Sequence, residues 1–484
     1  MINKDNKNIM LIGCGKHAMR IYVPLIQKFS NDKNFELKVV VDVEQNETII
    51  RRYFKDKFLP KFLFLPKKDQ KIKILNKKTI KQLNSFVLKY NISGVIIATE
   101  PLTHMVYAEW ALKNNLSILM DKPISTHINI SSNPKIANKI IKDYNKLVNL
   151  YMKAKIKNSK IVFSLLSQRR YHPVISKIKS LIDECYQKTN CHVTSIQSFH
   201  CDGQNRTPNE MVDEIYHSYN QGYGKCSHSG YHFFDIVPYI LTTTNPKINN
   251  LEIFSNFVKP LDIMQQLPHS TYEKVYGKEK YRKYNKYSNK QLEIKMKNFG
   301  EVDAYNIINF KQDNSIISTA SINLIHNGFS KRAWLSSHGK DLYKGNGRIR
   351  HETHIIEQGM FQCIHYHSYQ SKQIGRKYGN ELYTPGGEYH LELYVFKNTG
   401  VLGGKSFEQF NVKYFNGNIL EGVSRGHQED ARAKCFIEFI NALHNIIDSD
   451  NMKSDLLQHK LSTLISTGVH ISGSTKYPVK MKIK

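Results

Sequence analysis

A glycine turn close to the N-terminus limits the fold of this chain more than any other feature. The apolar run Asn8 to Ile12 (NIMLI) ends in Gly13-Cys14-Gly15-Lys16-His17-Ala18, and the amphipathic stretch AMRIYVPLIQKF follows directly. Strand, tight turn and helix in that order begin a parallel α/β sheet, and G-x-G-x-x-A is a spacing that admits a dinucleotide. Gly13 permits the turn, Gly15 lets the backbone approach a pyrophosphate, and Ala18 is small enough for the helix to pack on the strand. The helix start, with Lys16 and His17 in its first turn, offers amides and positive potential to the anion.

The neighbouring segments fit the same plan. Phe35 to Val41 is a second apolar run, and it ends in Asp42. A carboxylate at the tip of the second strand accepts hydrogen bonds from the adenosine ribose and repels a 2'-phosphate, which favours NAD over NADP. Glu44 stands near enough for the same part, and a simple turn cap at Asp42 is the plainer alternative. Gly94 to Thr99 reads as a buried parallel strand, followed by Glu100-Pro101-Leu102-Thr103-His104 and the helix MVYAEWALKNN; Ser117 to Met120 then leads into Asp121-Lys122-Pro123. Residues 51 to 90 are Lys-rich and weakly patterned, and they predict a helix plus an inserted basic excursion.

Composition removes several other classes. A chain of 484 residues with a 40% hydrophobic fraction has room for two domains with ordinary cores. The net charge of +29 raises nucleic acid as a partner, yet only 13 of the 70 basic residues are Arg, and the lysines are spread over the whole length. That diffuse pattern argues against a nucleic-acid contact surface. Seven cysteines without a CxxC pair read as reduced thiols of a cytoplasmic protein. No apolar run reaches the roughly 20 residues of a membrane span, and the short first run passes straight into glycines instead of forming a secretory core.

GCGKHA after the first strand, ATEPLTH after a later one and DKP closing the next resemble, in that order, the motifs of the Gfo/Idh/MocA oxidoreductases. Asp121 stands where the family's E-K-P has Glu, and Glu100 and Leu102 depart from its A-T-P-N-x-x-H. Further on, Ser167 to Pro173 (SQRRYHP) is similar to N-R-R-F-x-P, and Gly222-Tyr223-Gly224 followed by His228 to Asp235 (HSGYHFFD) to the glycine entry and D-x-x-x-H-x-x-D helix. Glu301 to Ala320 resembles a strand and hairpin of the sheet domain, and 429 to 445 and 456 to 476 the closing helices. Stretches near 51 to 75, 258 to 298 and 340 to 415 are unmatched.

The resemblance implies an α/β plus α+β chain: a Rossmann parallel-sheet domain over 1–165, binding NAD(P), and an open, mostly antiparallel sheet domain over 166–484 for substrate and oligomerisation. It implies cofactor contacts from Gly13, Gly15, Lys16, His17, Ala18, Asp42, Thr99, Glu100, His104, Asp121 and Lys122. It places Lys122 and His232 at the reacting carbon, as polarising group and general acid/base. Gln168, Arg170, His228 and His232 are the expected substrate contacts; a tie between the domains is the other reading of Arg170.

His228 stands where the family has Asp. At i,i+4 on one helix face a cationic His228 would depress His232, where an Asp would raise it. A shifted pH optimum, a proton relay through His228, or a fold without turnover all follow from that exchange. His at i,i+4 near Asp235 and Cys226 is also a zinc spacing, and Cys363, His365 and His367 alternate on one strand face near His351 and His354. No H-E-x-x-H or paired-cysteine motif accompanies either group, so no metal is expected.

Beyond residue 170, strands are predicted at 193–199, 251–258, 301–310, 315–325 and 390–396, and a long helix at 128–155. The Lys- and Tyr-rich stretch 274–297 reads as an exposed excursion. RIRHETHIIEQGMFQCIHYHSYQS either shapes substrate specificity or is a plain strand pair. The expected activity is hydride transfer between NAD and a sugar, nucleotide sugar or cyclitol, with self-association through the second sheet. A dinucleotide-binding sensor without turnover and an NAD-assisted elimination or glycoside cleavage are the alternatives.

Overall fold

The computed structural model describes residues 6–66, 74–203, 205–214, 217–329, 348–372, 379–415 and 427–483. They form two compact units, neither of which is one continuous run. The first contains Met1–Thr126, Ile140–Pro173 and Ile419–Thr463, and the second His127–Lys139, Val174–Asn418 and Leu464–Lys484. The chain passes between the two units more than once.

The first unit holds a six-stranded sheet: β1 (Lys7–Ile12), β2 (Phe35–Val43), β3 (Lys61–Leu65), β4 (Ile92–Ile97), β5 (Ser117–Met120) and β6 (Phe163–Leu165). Every pairing is parallel and the order is β3-β2-β1-β4-β5-β6, the arrangement of a Rossmann-like sheet. Within 51–90, read as a helix plus an inserted basic excursion, the described residues give β3 and the helix Lys77–Lys89, and residues 67–73 lie outside the described ones. Alternating Leu63 and Leu65 are buried, and an edge strand between Pro60 and Pro66 tolerates the lysines around it.

The helix after the glycine turn is broken into Lys16–Arg20 and Tyr22–Phe29. Pro24 has no N–H for the carbonyl four residues back, so the break one turn earlier has a direct cause. The helix His427–Leu443 belongs to this unit because its side chains complete the core. Phe436, Phe439 and Ile440 are fully buried with Ile9, Leu11 and Phe35, and the Phe35 and Phe436 rings meet edge-on at 5.7 Å. Each such side chain contributes about 1.5–3 kcal/mol of burial. The expected helix over 128–155 instead comprises Pro134–Ala137, whose N-terminal amides bond the Asn133 side chain, and Lys139–Lys157.

The second unit is built on a nine-stranded sheet: β7 (Ser195–Cys201), β8 (Asn250–Val258), β9 (Asp303–Gln312), β10 (Ser315–Ile325), β11 (Arg348–Gln358), β12 (Gln362–Lys372), β13 (Glu392–Lys397), β14 (Phe407–Asn411) and β15 (Val479–Lys482). The order is β14-β13-β12-β11-β7-β10-β9-β8-β15, antiparallel except for the parallel pair β7 and β10. Within 340–415, the four strands β11 to β14 extend the sheet, so the histidine-rich segment is a strand pair. The exposed excursion expected over 274–297 is largely exposed and is helical; with the residues before it, Pro260–Gln266, His269–Tyr276, Lys278–Tyr284 and Asn289–Met296 close on small cores around Ile263, Leu292, Tyr272 and Tyr281.

Candidate active site

In the first unit the glycine turn ends β1 and touches the end of β4. Gly13 has φ +88°, and a Cβ on it would lie 2.7 Å from the carbonyl of Ala98 and 2.8 Å from the Thr99 nitrogen. No side chain fits there. Gly15 is different. Its backbone is extended (φ −75°, ψ −175°), and a Cβ would meet nothing within 4 Å. The turn thus has one glycine required by packing and one facing open space. Ala18 is fully buried against the sheet.

Asp42 ties this loop together. Its carboxylate accepts the N–H of Cys14 at 2.6 Å, that of Val43 at 2.7 Å and the Asn46 side-chain amide at 2.8 Å. These donors use three of about four lone-pair directions, and the half-buried group keeps capacity for another. Glu44 is exposed at the start of the following turn.

The ends of β4 and β5 are joined by His104. Its Nδ1 lies 2.8 Å from the Pro123 carbonyl and its Nε2 3.1 Å from that of Thr99. A neutral ring donates to only one of these; burial lowers the His104 pKa, while the two carbonyls and Asp121 oppose that shift. Thr99 accepts from the Thr103 hydroxyl at 2.9 Å, and exposed Glu100 precedes the turn Pro101–Thr103. Asp121 accepts the Tyr22 hydroxyl at 2.7 Å and lies 3.5 Å from His17 Nε2. Desolvation lowers the His17 pKa against the pull of Asp121, with Arg432, Arg20 and Lys122 adding to the lowering. Gly13, Gly15, Ala18, Asp42, Thr99, His104 and Asp121 therefore cluster at the carboxyl ends of β1, β2, β4 and β5, with half-buried Lys122 next in the chain after Asp121.

Gln168 and Arg170 follow the carboxyl end of β6, beside β5, in the buried turn Gln168–Tyr171. Arg170 donates to the Lys453 carbonyl at 2.9 Å and to the side chain and carbonyl of Gln458 at 3.1 and 3.3 Å. Its fork clamps the 453–458 segment of the same unit.

In the second unit the helix expected to bear both histidines forms as one run over 226–241, but its first turn is π-helical. His228 lies in a π-helical turn, Cys226–Gly230, and His232 in the first turn of the α-helix Tyr231–Leu241. Two contacts account for the turn. A Cβ on Gly224 would come within 1.8 Å of the Glu301 carbonyl, so the chain enters tightly, and the Gly230 N–H reaches back five residues to Lys225 at 2.8 Å. Lys225 is fully buried, ion-paired with Asp202 and 3.2 Å from His200 Nδ1. His228 stacks on His217 with centroids 4.5 Å apart and meets Tyr223 at 5.3 Å. His228 and His232 are both 8% exposed.

Lys225, Asp202, Arg206, His217 and His326 were not singled out in the sequence. The available signal was position: His326 directly follows the strand predicted at 315–325, and Asp202 comes three residues after the one predicted at 193–199. Among the described residues, no group of three or more ligating side chains is arranged to hold a metal ion, and no helix is long and apolar enough to cross a membrane. The seven cysteines are free thiols.

No family model matches the chain, and no curated protein matches its sequence. Solved structures do match its fold. An oxidoreductase from Agrobacterium radiobacter, solved with NAD+, L-tartaric acid and magnesium, shares 12% identity at a TM-score of 0.57, over 98% of each chain. The WlbA dehydrogenase from Bordetella pertussis, solved with NADH and UDP-GlcNAcA, shares 9% at 0.57 over the whole of both chains. A levoglucosan dehydrogenase bound to NADH and levoglucosan shares 13% at 0.56, over 98% of this chain and 99% of its own. The chain has the two-sheet fold of these oxidoreductases.

Proposed function

We propose that this chain is an NAD-dependent oxidoreductase of the Gfo/Idh/MocA type, acting between a hydroxyl and a keto group of a sugar, nucleotide sugar or cyclitol. The observation that carries this reading is the open cradle over Gly15 at the end of β1, beside the Asp42 carboxylate. Neighbours of the same fold hold NAD(H) with sugar-type ligands, which supports it. When bound, the nicotinamide supplies a hydride acceptor or donor. The Gly13–Ala18 turn holds the pyrophosphate, and Asp42 takes the ribose hydroxyls.

In the oxidative direction His232 removes the hydroxyl proton while the carbon loses hydride, and the Lys122 ammonium stabilises charge on the oxygen. His228 orients the proton-transfer site from its stack on His217. Accumulation of NADH, followed at its absorbance maximum over a panel of sugars and nucleotide sugars, tests the reaction. A net dehydrogenase builds up NADH, whereas an elimination returns it and a sensor never forms it.

Two further outcomes follow. Asp42→Asn removes the charge but keeps one acceptor oxygen for the loop amides. It is expected to narrow the preference for NAD over NADP by roughly tenfold, as one hydrogen bond to a charged group is worth about 1.5 kcal/mol or more; comparison of the two dissociation constants checks this. The solvent face of β8 and β9 carries Phe254 opposite Ile307 and Asn256 opposite Tyr305. Phe254, Ile307 and Tyr305 are 41%, 50% and 43% exposed. We assign self-association to this face, and Ile307→Asp is expected to convert the wild-type oligomer to monomer in light scattering, without loss of helix signal.

A further inference from the structure

Lys225 directly precedes the π-helical turn and is fully buried, a setting in which a lysine is seldom found without a specific partner. Its ammonium pairs with Asp202, the residue after β7, and lies 3.2 Å from Nδ1 of His200 in β7 itself. Its N–H donates to the Glu301 carbonyl at 3.0 Å, and its own carbonyl accepts the Gly230 N–H that closes the π-helical turn. Asp202 also accepts from the Ser229 hydroxyl at 3.4 Å. One carboxylate therefore holds both ends of the turn to the end of one strand.

A second connection runs through the His200 ring. The Lys225 ammonium has only protons to give, so His200 Nδ1 is the acceptor and the ring is oriented by that bond. The ring stacks on Phe233 with centroids 4.4 Å apart, and Phe233 in turn lies 5.8 Å from His354 of β11. Phe233 is the residue after His232, so Lys225 is connected to both sides of the segment that bears the two histidines. Gly230 completes the fit. A Cβ there would meet the Lys225 carbonyl and Leu324 Cδ1 of β10, each at 2.8 Å. A hydrogen bond reaching back five residues puts one extra residue into the turn, which changes the phase of all that follows by one residue's rotation, about 100°. His228 lies inside the turn and His232 just after it, so the turn sets the angle between them.

Stability does not account for the ion pair. Apolar side chains of similar volume commonly replace a buried pair at little or no cost, whereas only directional groups fix a register. We propose that Lys225 is a positioning residue: its ion pair with Asp202 holds the turn in its π register and thereby directs His228 and His232 at the proton-transfer site. The proposal rests on the oxidoreductase reading and adds to it a residue that acts through the two histidines without touching substrate.

Lys225→Met, Asp202→Asn and the double variant separate positioning from support. Lys225→Met leaves the Asp202 carboxylate without its ammonium and is expected to melt at a lower temperature, whereas the double variant removes both charges and should regain the melting temperature of the wild type. For the substrate found in the NADH screen, kcat of the double variant should nonetheless fall about a hundredfold with KM within about threefold, as a misdirected base costs rate and not binding. A role in support alone would return kcat together with the melting temperature, and that result overturns the proposal. Ring 15N–1H spectra of histidine-labelled protein give a second readout that needs no substrate. The signals of His228 and His232, assigned with His228→Asn and His232→Asn, should move in the double variant, while that of His104 in the first unit stays. Unmoved signals overturn the proposal as well. The Asp202 side chain is 14% exposed, so Asp202→Asn carries the same two measurements where the double variant does not fold, with a fall in kcat of about tenfold. A wild type that turns over no sugar, while the ring signals move as expected, counts against the oxidoreductase reading alone.

Discussion

His232→Asn is expected to lower kcat by about a thousandfold, within the 10² to 10⁴ that positioned acid–base groups contribute, and to leave the NADH dissociation constant within twofold. The side chain opens the helix Tyr231–Leu241 just after the π-helical turn, and the whole turn is 8% exposed or less at His228 and His232. Asn preserves polarity and approximate size but transfers no proton, so stability and cofactor binding serve as internal controls. Lys122→Met, which removes the ammonium from the end of β5, is expected to match it in kcat. A double variant no slower than either single one would show that the two groups act on one step. Steady-state rates for the substrate found in the NADH screen check both, and unchanged turnover in His232→Asn contradicts the proton-transfer role.

The second large effect separates the two glycines of the turn. Gly13→Ala forces a Cβ to within 2.7 Å of main-chain atoms of Ala98 at φ +88°. Left-handed strain of about 1–3 kcal/mol and overpacking of similar size are both incurred, so thermal unfolding should move down by several degrees or the variant should not accumulate. Gly15→Ala meets no atom within 4 Å and keeps φ −75°. Its melting temperature should equal that of the wild type, while NADH affinity falls at least tenfold because the methyl group occupies the approach of the pyrophosphate. Thermal unfolding and NADH fluorescence titration of both variants give this pattern directly. Equal NADH affinity in Gly15→Ala and wild type would mean the open space serves something else.

Where local pattern and global fold agree, the sequence was readable. The runs at 8–12, 35–41, 94–99 and 117–120 became β1, β2, β4 and β5, because central parallel strands are continuous apolar runs and their polar ends carry the chemistry. β3 was not legible, since its five residues sit between prolines and lysines and gain their strand identity only from β2. The helix His427–Leu443 was recognisable as a helix, but no local signal says which sheet its Phe436 and Phe439 complete.

The site divided in the same way. Gly13, Asp42, His104 and Asp121 announced themselves by spacing, and the structure brings them to one end of one sheet. The π-helical turn depends on Gly224 against Glu301 and Lys225 against Asp202, pairs separated by 77 and 23 residues, so the i,i+4 geometry expected for His228 and His232 had no means of revealing it. Asp202 and His326 follow strand ends joined only in the folded sheet. The bonds from Arg170 to the 453–458 segment had no local signal either, since they join residues more than 280 apart in the chain.

The central claim is that the turn after β1 holds NAD(H). Nucleotide released from the purified chain, identified by mass spectrometry and followed by fluorescence titration of the stripped protein with NADH and NADPH, tests it most directly. The account predicts NAD(H) as the nucleotide recovered, one NADH bound per chain, and weaker binding of NADPH. Absence of binding of either at millimolar concentration, by a chain that circular dichroism shows to be folded, would contradict it.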